Sequence, residues 1–334
     1  MRPGAEIRSA PLVTVVISTW NRAHLVGRAI RCALAQTVED IEVVVVDDGS
    51  TDATAVVLAG IDDHRLRRAR HEHNHGISRT RNTAIGLARG DWIAFLDDDN
   101  EWPPDYLERQ LAVAKSRPAA GVVYCRARVR NTESGSEWLM HDALGQGRVF
   151  GHLVAGWHLQ MSATIIRRSI LIEIGGLDER LRAREDTDLW LRLAQRTDFA
   201  GTSQVLLTRN DHHGAQLSRN PEFLTRDADL LRQKWQAAIT AACGRMAFRG
   251  WHAQAVILAE RRTIDHAISA GTGARVAAAR CGRRLLPFLP WSAPLLTEML
   301  AFAILGAPGS RVVRRGWLYW YGLRRRLGVP AGCE

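Results

Sequence analysis

The run Gly90-Asp-Trp-Ile-Ala-Phe-Leu-Asp-Asp-Asp-Asn100 delivers three consecutive carboxylates, Asp97, Asp98 and Asp99, at the end of an apolar stretch. Adjacent acids repel one another, and ordinary folding gives no reason to gather them there. A divalent cation gives one. Hard oxygen ligands suit Mg²⁺ or Mn²⁺, and Mg²⁺ is commonly held by one or two carboxylates together with substrate phosphates. The position agrees, because open α/β sheets bind ligands outside the carboxyl ends of their strands.

Two further motifs close apolar runs in the same way. Ser18-Thr-Trp-Asn-Arg22 follows a run that begins at Leu12, and Asp47-Asp48-Gly49-Ser50 follows Ile41 to Val46. A lone carboxylate such as Asp48 can accept a hydrogen bond from a nucleobase imide or a ribose hydroxyl, and a helix N-terminus suits phosphate. Alone, Asp-Asp-Gly-Ser is a common turn with a helix cap. Three such motifs on one edge read as a site for a nucleoside diphosphate and its metal ion.

The elements that must position them alternate. The pattern predicts strands over 12–18, 41–46, 66–70 and 91–96 and helices over 21–36, 51–58 and 78–88, with Ser50 or Thr51 as a cap and Gly90 as a stop. Such alternation implies a parallel sheet with right-handed crossovers, which sets the three motif-bearing ends on one edge. A helix over 103–114, strands over 121–126 and 163–167 and a helix over 185–195 follow. From about residue 223 the pattern is helical, with a break expected at Gly271-Thr-Gly273. The apolar stretch 285–307 carries Glu298, Pro287, Pro290 and Pro294, which disfavours a simple transmembrane helix.

At 334 residues the chain can bury a sizeable core and hold two domains. The five cysteines are scattered, with no Cys/His cluster at metal spacing, and read as free thiols of a reducing compartment. Residues 1–11 have no apolar leader pattern, so a cytoplasmic location is expected. The net charge of +10 is unevenly placed: residues 1–234 hold 31 Lys and Arg against 31 Asp and Glu, and residues 235–334 hold 14 against 4. Arg311, Arg314, Arg315, Arg324, Arg325 and Arg326 stand among Trp317, Trp320 and Tyr321 within 311–327. That composition suits an interfacial helix on an anionic membrane surface, the other reading being a basic tail packed on its own domain. No nucleic-acid motif accompanies the charge, so nucleic acid is not an expected partner.

The series Val15-Val-Ile-Ser-Thr-Trp-Asn-Arg22, Val45-Val-Asp-Asp-Gly-Ser-Thr-Asp52, Asn74-His-Gly-Ile-Ser-Arg-Thr-Arg-Asn82 and Leu96-Asp-Asp-Asp-Asn100 resembles the family 2 glycosyltransferases of the GT-A fold. The resemblance covers about residues 11–220, in the family's order and spacing. It implies an α/β fold, with a Rossmann-like, mostly parallel sheet flanked by helices and a mainly helical C-terminal extension. It divides the chain into a nucleotide-sugar-binding half (1–110), an acceptor-binding half of the same domain (111–222) and a helical basic region (223–334). Trp20 stands where the family usually has tyrosine, and either ring can stack on a base.

By the same resemblance, Ser18, Trp20, Asn21 and Asp48 line the base and ribose, and Arg79 and Arg81 fall in the segment that approaches the nucleotide. Asp99 is the direct metal ligand, Asp98 a second one nearer the ribose, and Asp97 belongs to the nucleotide side or only finishes the strand. Gly175-Gly-Leu-Asp-Glu179 with Arg184-Glu-Asp-Thr-Asp-Leu-Trp190 looks like the acceptor-side segment. Asp186 is assigned as the base, Glu185 is the alternative, and Asp188 is expected to face solvent or cap the helix. In isolation these are acids favoured by a helix dipole. His213, within Asp211-His-His-Gly-Ala-Gln-Leu-Ser218, matches a histidine that can reach the metal or the diphosphate.

The implied activity is inverting, Mg²⁺- or Mn²⁺-dependent transfer from a nucleotide-diphosphate sugar, with UDP-sugars favoured, to a hydroxyl of a glycan or lipid-linked acceptor. The expected setting is the inner face of a membrane. A sugar-nucleotide-forming nucleotidyltransferase would instead show a glycine-rich N-terminal loop with a basic residue, which Ser18 to Arg22 lacks. A non-catalytic nucleotide-sugar binder would make Glu185-Asp186 incidental.

Overall fold

The computed structural model describes residues 10–140, 145–211, 220–269, 280–281 and 284–288. Its centre is β1 (Val13–Thr19), paired in parallel with β2 (Ile41–Asp47) on one side and β4 (Trp92–Phe95) on the other. β3 (Leu66–Arg70) extends the parallel set beyond β2. β1 and β2 are Val- and Ile-rich and almost wholly buried, as strands covered on both faces must be. β3 alternates buried and exposed positions because it lies at the edge. The crossovers are α1 (Ala23–Leu34), α2 (Thr54–Ala59) and α3 (Ile77–Leu87). α1 buries Val26, Ala29, Ile30 and Ala33, the spacing of one helical face.

The sheet as a whole is mixed. Its order is β3-β2-β1-β4-β7-β5-β6, with β8 also paired to β5. β5 (Ala120–Asn131), β6 (Glu137–Met140), β7 (Thr164–Arg167) and β8 (Asp198–Asp211) form the second half. β7 runs antiparallel to β4 and β5, β6 antiparallel to β5, and β8 parallel to β5. The helices here are α4 (Tyr106–Ser116), α5 (Phe150–Val154), α6 (Arg168–Glu173) and α7 (Glu185–Ala194). β6 and β8 were not expected, and β5 runs beyond 121–126. The extension of β5 is paired by β6 on one side and by β8, more than 70 positions away, on the other, and its alternating arginines hide it from a pattern of apolar runs.

Gly90 is not the stop of α3. The helix leaves through Ala88 in an extended conformation. A Cβ on Gly90 would lie 2.5 Å from the Thr14 nitrogen, so glycine is required for close approach to β1. Neither Ser50 nor Thr51 caps α2, whose flanking residue is Ala53.

The chain divides into two compact units. The first holds β1 to β8 with α1–α4, α6 and α7. The second holds α5, residues 181–184 and α8 (Pro221–Ser269), which is interrupted at Gly244 with φ 86° and ψ 163°. Gly271 to Gly273 lie outside the described residues. In the second unit Asp227 is fully buried, and its Oδ2 accepts the N–H groups of Arg182, Ala183 and Arg184 at 2.9, 2.7 and 3.1 Å. Cys32, Cys125 and Cys281 are free, whereas Cys243 is disulfide-bonded, which corrects the reading of five free thiols. Among the described residues no helix is long and apolar enough to cross a membrane. The basic stretch 311–327 lies outside them.

Candidate active site

The register brings the motif-bearing ends together. Thr19 pairs with Asp47, and the Leu96 N–H reaches the Val16 carbonyl at 2.9 Å, so the acids leave β4 beside the end of β1. Thr19 Oγ1 donates to Asp98 Oδ2 at 2.8 Å. Arg22 Nη1 stands between the acids, 2.8 Å from Asp98 Oδ1 and 2.8 Å from Asp99 Oδ2.

Asp97 is turned the other way. Its Oδ2 accepts from Ser162 Oγ at 2.9 Å, and its Oδ1 from Arg81 Nη2 at 2.8 Å. Arg81 is buried, and its Nη1 donates to Glu185 Oε1 at 2.7 Å. Arg79, two residues earlier, is exposed.

The β2 end is tied to β1 by Asn21, which adopts φ 52°. Its N–H donates to Ser50 Oγ at 2.8 Å, and its Oδ1 accepts the Thr51 N–H at 2.7 Å. Trp20 is 48 % exposed, and Ser18 Oγ is buried with no hydrogen-bond partner among the described residues. Asp48 is buried and holds the loop after β3: it accepts the Gly76 N–H at 2.8 Å and the His75 N–H at 3.0 Å, with His71 Nδ1 at 2.7 Å. Gly49, at φ 74°, makes room for that loop, since a Cβ there would lie 2.6 Å from the His73 backbone.

Acids outweigh cations in this cluster. Burial pushes the Asp98 carboxyl up to about 7; Arg22 opposes the shift and Asp99 adds to it. Burial likewise pushes Glu185 up to about 7, against Arg81 and with Asp186. Burial works against the charge on Arg22, but Asp98 and Asp99 outweigh it and hold its pKa above the ordinary value. Such a balance favours added positive charge.

At the start of α7, Glu185 is buried and Asp186 partly exposed, with Asp186 Oδ1 accepting the Thr187 N–H at 2.6 Å. Asp188 does not face solvent. It is fully buried and pairs with Arg192 at 2.7 Å, because the buried face of α7 extends round to it. His213 lies outside the described residues.

Arg22, Thr19, Ser162 and His71 are members that sequence reasoning missed. Arg22 closes one of the quoted motifs, and its basic type beside an acidic edge was a usable signal. Ser162 comes from 65 residues beyond Asp97, where nothing local announces it.

The hard oxygens of Asp98 and Asp99 converge on one point, filled by a guanidinium nitrogen, and so fit a divalent cation. Among the described residues no group of three or more His, Cys, Asp or Glu forms a complete ligand set. A cation held here would need oxygens from a ligand as well.

The sequence profile of glycosyl transferase family 2 matches residues 14–175, a span that contains the motif-bearing strand ends and Ser162. The chain carries a family 2 glycosyltransferase domain. The chain is 45 % identical over 119 residues to the succinoglycan biosynthesis protein ExoO of Rhizobium meliloti, an alignment covering 36 % of this chain and 34 % of that one. The chain thus spans about a third of that relative's length. Residues 1–349 of S. aureus TarS, in complex with UDP-GlcNAc, superimpose with a TM-score of 0.61 at 18 % identity, covering 92 % of this chain and 91 % of that one. The mannosyltransferase PcManGT from Pyrobaculum calidifontis, in complex with GDP-Man and Mn²⁺, gives 0.53 at 20 % identity, covering 91 % and 87 %. The fold of the family 2 domain is GT-A.

Proposed function

We propose that this chain catalyses inverting, divalent-metal-dependent transfer of a sugar from a nucleotide-diphosphate donor, with UDP-sugars favoured, to a hydroxyl of a glycan or lipid-linked acceptor. The observation that carries the reading is the convergence of Asp98 and Asp99 on one cationic point beside the partnerless Ser18 hydroxyl and the exposed Trp20 ring. The relatives support it: one is named for succinoglycan biosynthesis, and the structural neighbours hold UDP-GlcNAc or GDP-Man with Mn²⁺.

In this reading Trp20 stacks on the base, Ser18 and Asn21 face the nucleoside, and Asp48 bonds the base edge while fixing the loop at His75 and Gly76. Asp99 and Asp98 would hold Mg²⁺ or Mn²⁺, which when bound would neutralise charge on the leaving diphosphate. Asp186 takes the proton of the acceptor hydroxyl as its oxygen bonds to the anomeric carbon. The bond from that carbon to the diphosphate oxygen breaks, and the nucleotide leaves with the electron pair. Attack from the face opposite the diphosphate inverts the anomeric centre.

The test is nucleotide release from UDP-glucose, UDP-galactose, UDP-N-acetylglucosamine and GDP-mannose, each with Mn²⁺ and with a chelator. The reading expects release from at least one donor, abolished by the chelator. Release that persists without divalent ions would remove the metal role, and no release from any donor would remove the transfer reading.

A further inference from the structure

Arg81 divides its guanidinium between two elements. Nη1 bonds Glu185 Oε1 at 2.7 Å and Nη2 bonds Asp97 Oδ1 at 2.8 Å. The guanidinium carbon also lies 5.9 Å from the centroid of Phe95, the last residue of β4. The Asp97 end is itself fixed, because Ser162 Oγ accepts the Asp97 N–H at 3.0 Å and donates to its Oδ2 at 2.9 Å. Glu185 opens α7 and immediately precedes Asp186. One side chain from α3 therefore joins the acidic turn after β4 to the first residue of the helix that carries the proposed base.

We propose that Arg81 is a positioning residue that holds the first turn of α7, and with it the Asp186 carboxylate, against the acidic turn Asp97–Asp99 without touching the donor. This rests on the transfer reading above. It gives Arg81 a task different from the nucleotide contact that the resemblance implies.

Chemistry favours arginine for the task. Its rigid planar fork can satisfy two carboxylates on different elements, whereas the compact ammonium of lysine cannot span both. A buried ion pair is a poor stabilising device, since desolvation offsets the Coulomb gain, and fixing registry is its better-attested use. Registry matters here because a misplacement of about 1 Å at reacting groups costs about 100-fold in rate.

The test compares Arg81→Lys, Glu185→Gln and the double variant, each checked for folding by circular dichroism. Donor turnover is read as nucleotide release across the same four nucleotide sugars, and affinity by titration with UDP in Mn²⁺. For Arg81→Lys, kcat is expected to fall by about 100-fold. Donor KM and UDP affinity are expected to stay within about twofold, since the lost interaction is not one with the ground-state donor. The double variant is expected to be no slower than the worse single variant, because both changes cut one bridge. UDP affinity that falls in step with kcat would make Arg81 a nucleotide ligand and overturn the proposal. Unchanged kcat in folded Arg81→Lys, or fully additive losses in the double variant, would overturn it too. Should Arg81→Lys fail to fold, Glu185→Gln decides by the same split of kcat from UDP affinity. A wild type that turns over no donor overturns the transfer reading and this inference with it.

Discussion

Arg22 Nη1 and Asp98 Oδ1 form a part-buried ion pair of 2.8 Å between the end of β1 and the turn after β4. The same nitrogen reaches Asp99, so Arg22 supplies the positive charge on which both acids depend. Removing one partner of such a pair leaves uncompensated charge and costs about 3 kcal/mol. Arg22→Met is therefore expected to unfold at a temperature several degrees lower than wild type. Mn²⁺ with UDP is expected to restore more of that loss in the variant than it adds to the wild type. Thermal unfolding with and without Mn²⁺ checks this, and an unchanged melting temperature would contradict it.

Asp186 is partly exposed where Glu185 is buried and engaged by Arg81. Only the former has the exposure that meeting an acceptor requires. Asp186→Asn keeps size and hydrogen bonding but cannot take a proton, so kcat should fall by about 100-fold or more. UDP binding should be unaffected. Steady-state transfer with the responsive donor measures it, and full activity would move the base elsewhere.

The pH dependence of stability follows from Glu185. Burial raises its carboxyl to about 7 from an ordinary value of 4.5. Between those values the folded protein holds a proton that the unfolded chain has released. Folding takes up that proton, so stability falls as pH rises through this window. Asp98 acts in the same direction and is retained in both proteins, so Glu185→Gln isolates the contribution of Glu185. The variant should show a smaller drop in melting temperature between pH 5 and pH 8, by about 3 °C or more. Parallel melting curves at every pH would refute the assignment.

Gly49→Ala tests the loop beneath the β2 motif. The position combines φ 74° with a Cβ that would sit 2.6 Å from the His73 backbone. Strain and overlap together should cost about 1–3 kcal/mol. Because the loop is anchored on Asp48, UDP affinity should weaken at the same time. Isothermal titration beside a melting curve reads both, and a variant that loses neither would show that the loop yields freely.

Three of the first four strands, β1, β2 and β4, were legible because each is a short apolar run stopped by acids or a hydroxyl residue, whereas β3, with three arginines among its five residues, gave a weaker pattern. The motif-bearing edge followed from parallel pairing alone. What lay hidden depended on contacts distant in sequence. Arg126, Arg128 and Arg130 gave β5 too polar a pattern to extend it, and its pairing with β6 on one side and β8 on the other explains its length. Asp188 looked like a solvent-facing acid because the face of α7 that is buried includes the position pairing with Arg192. The inward turn of Arg81 could not be read either, since both its partners come from other elements, one of them 104 residues away.

Asp48 follows β2 and Asp97 to Asp99 follow β4, with β1 between them. Two interstrand spacings, about 10 Å in all, separate the two groups of acids. That interval is a ruler cut into the hydrogen-bonded ladder, and no exchange of side chains alters its length. A ligand grasped at both ends must match it, which selects for a molecular span and is blind to whatever hangs beyond. In the proposed transfer, preference for the base would be set at one end and preference for the sugar past the other. The two can therefore drift apart in evolution without disturbing each other.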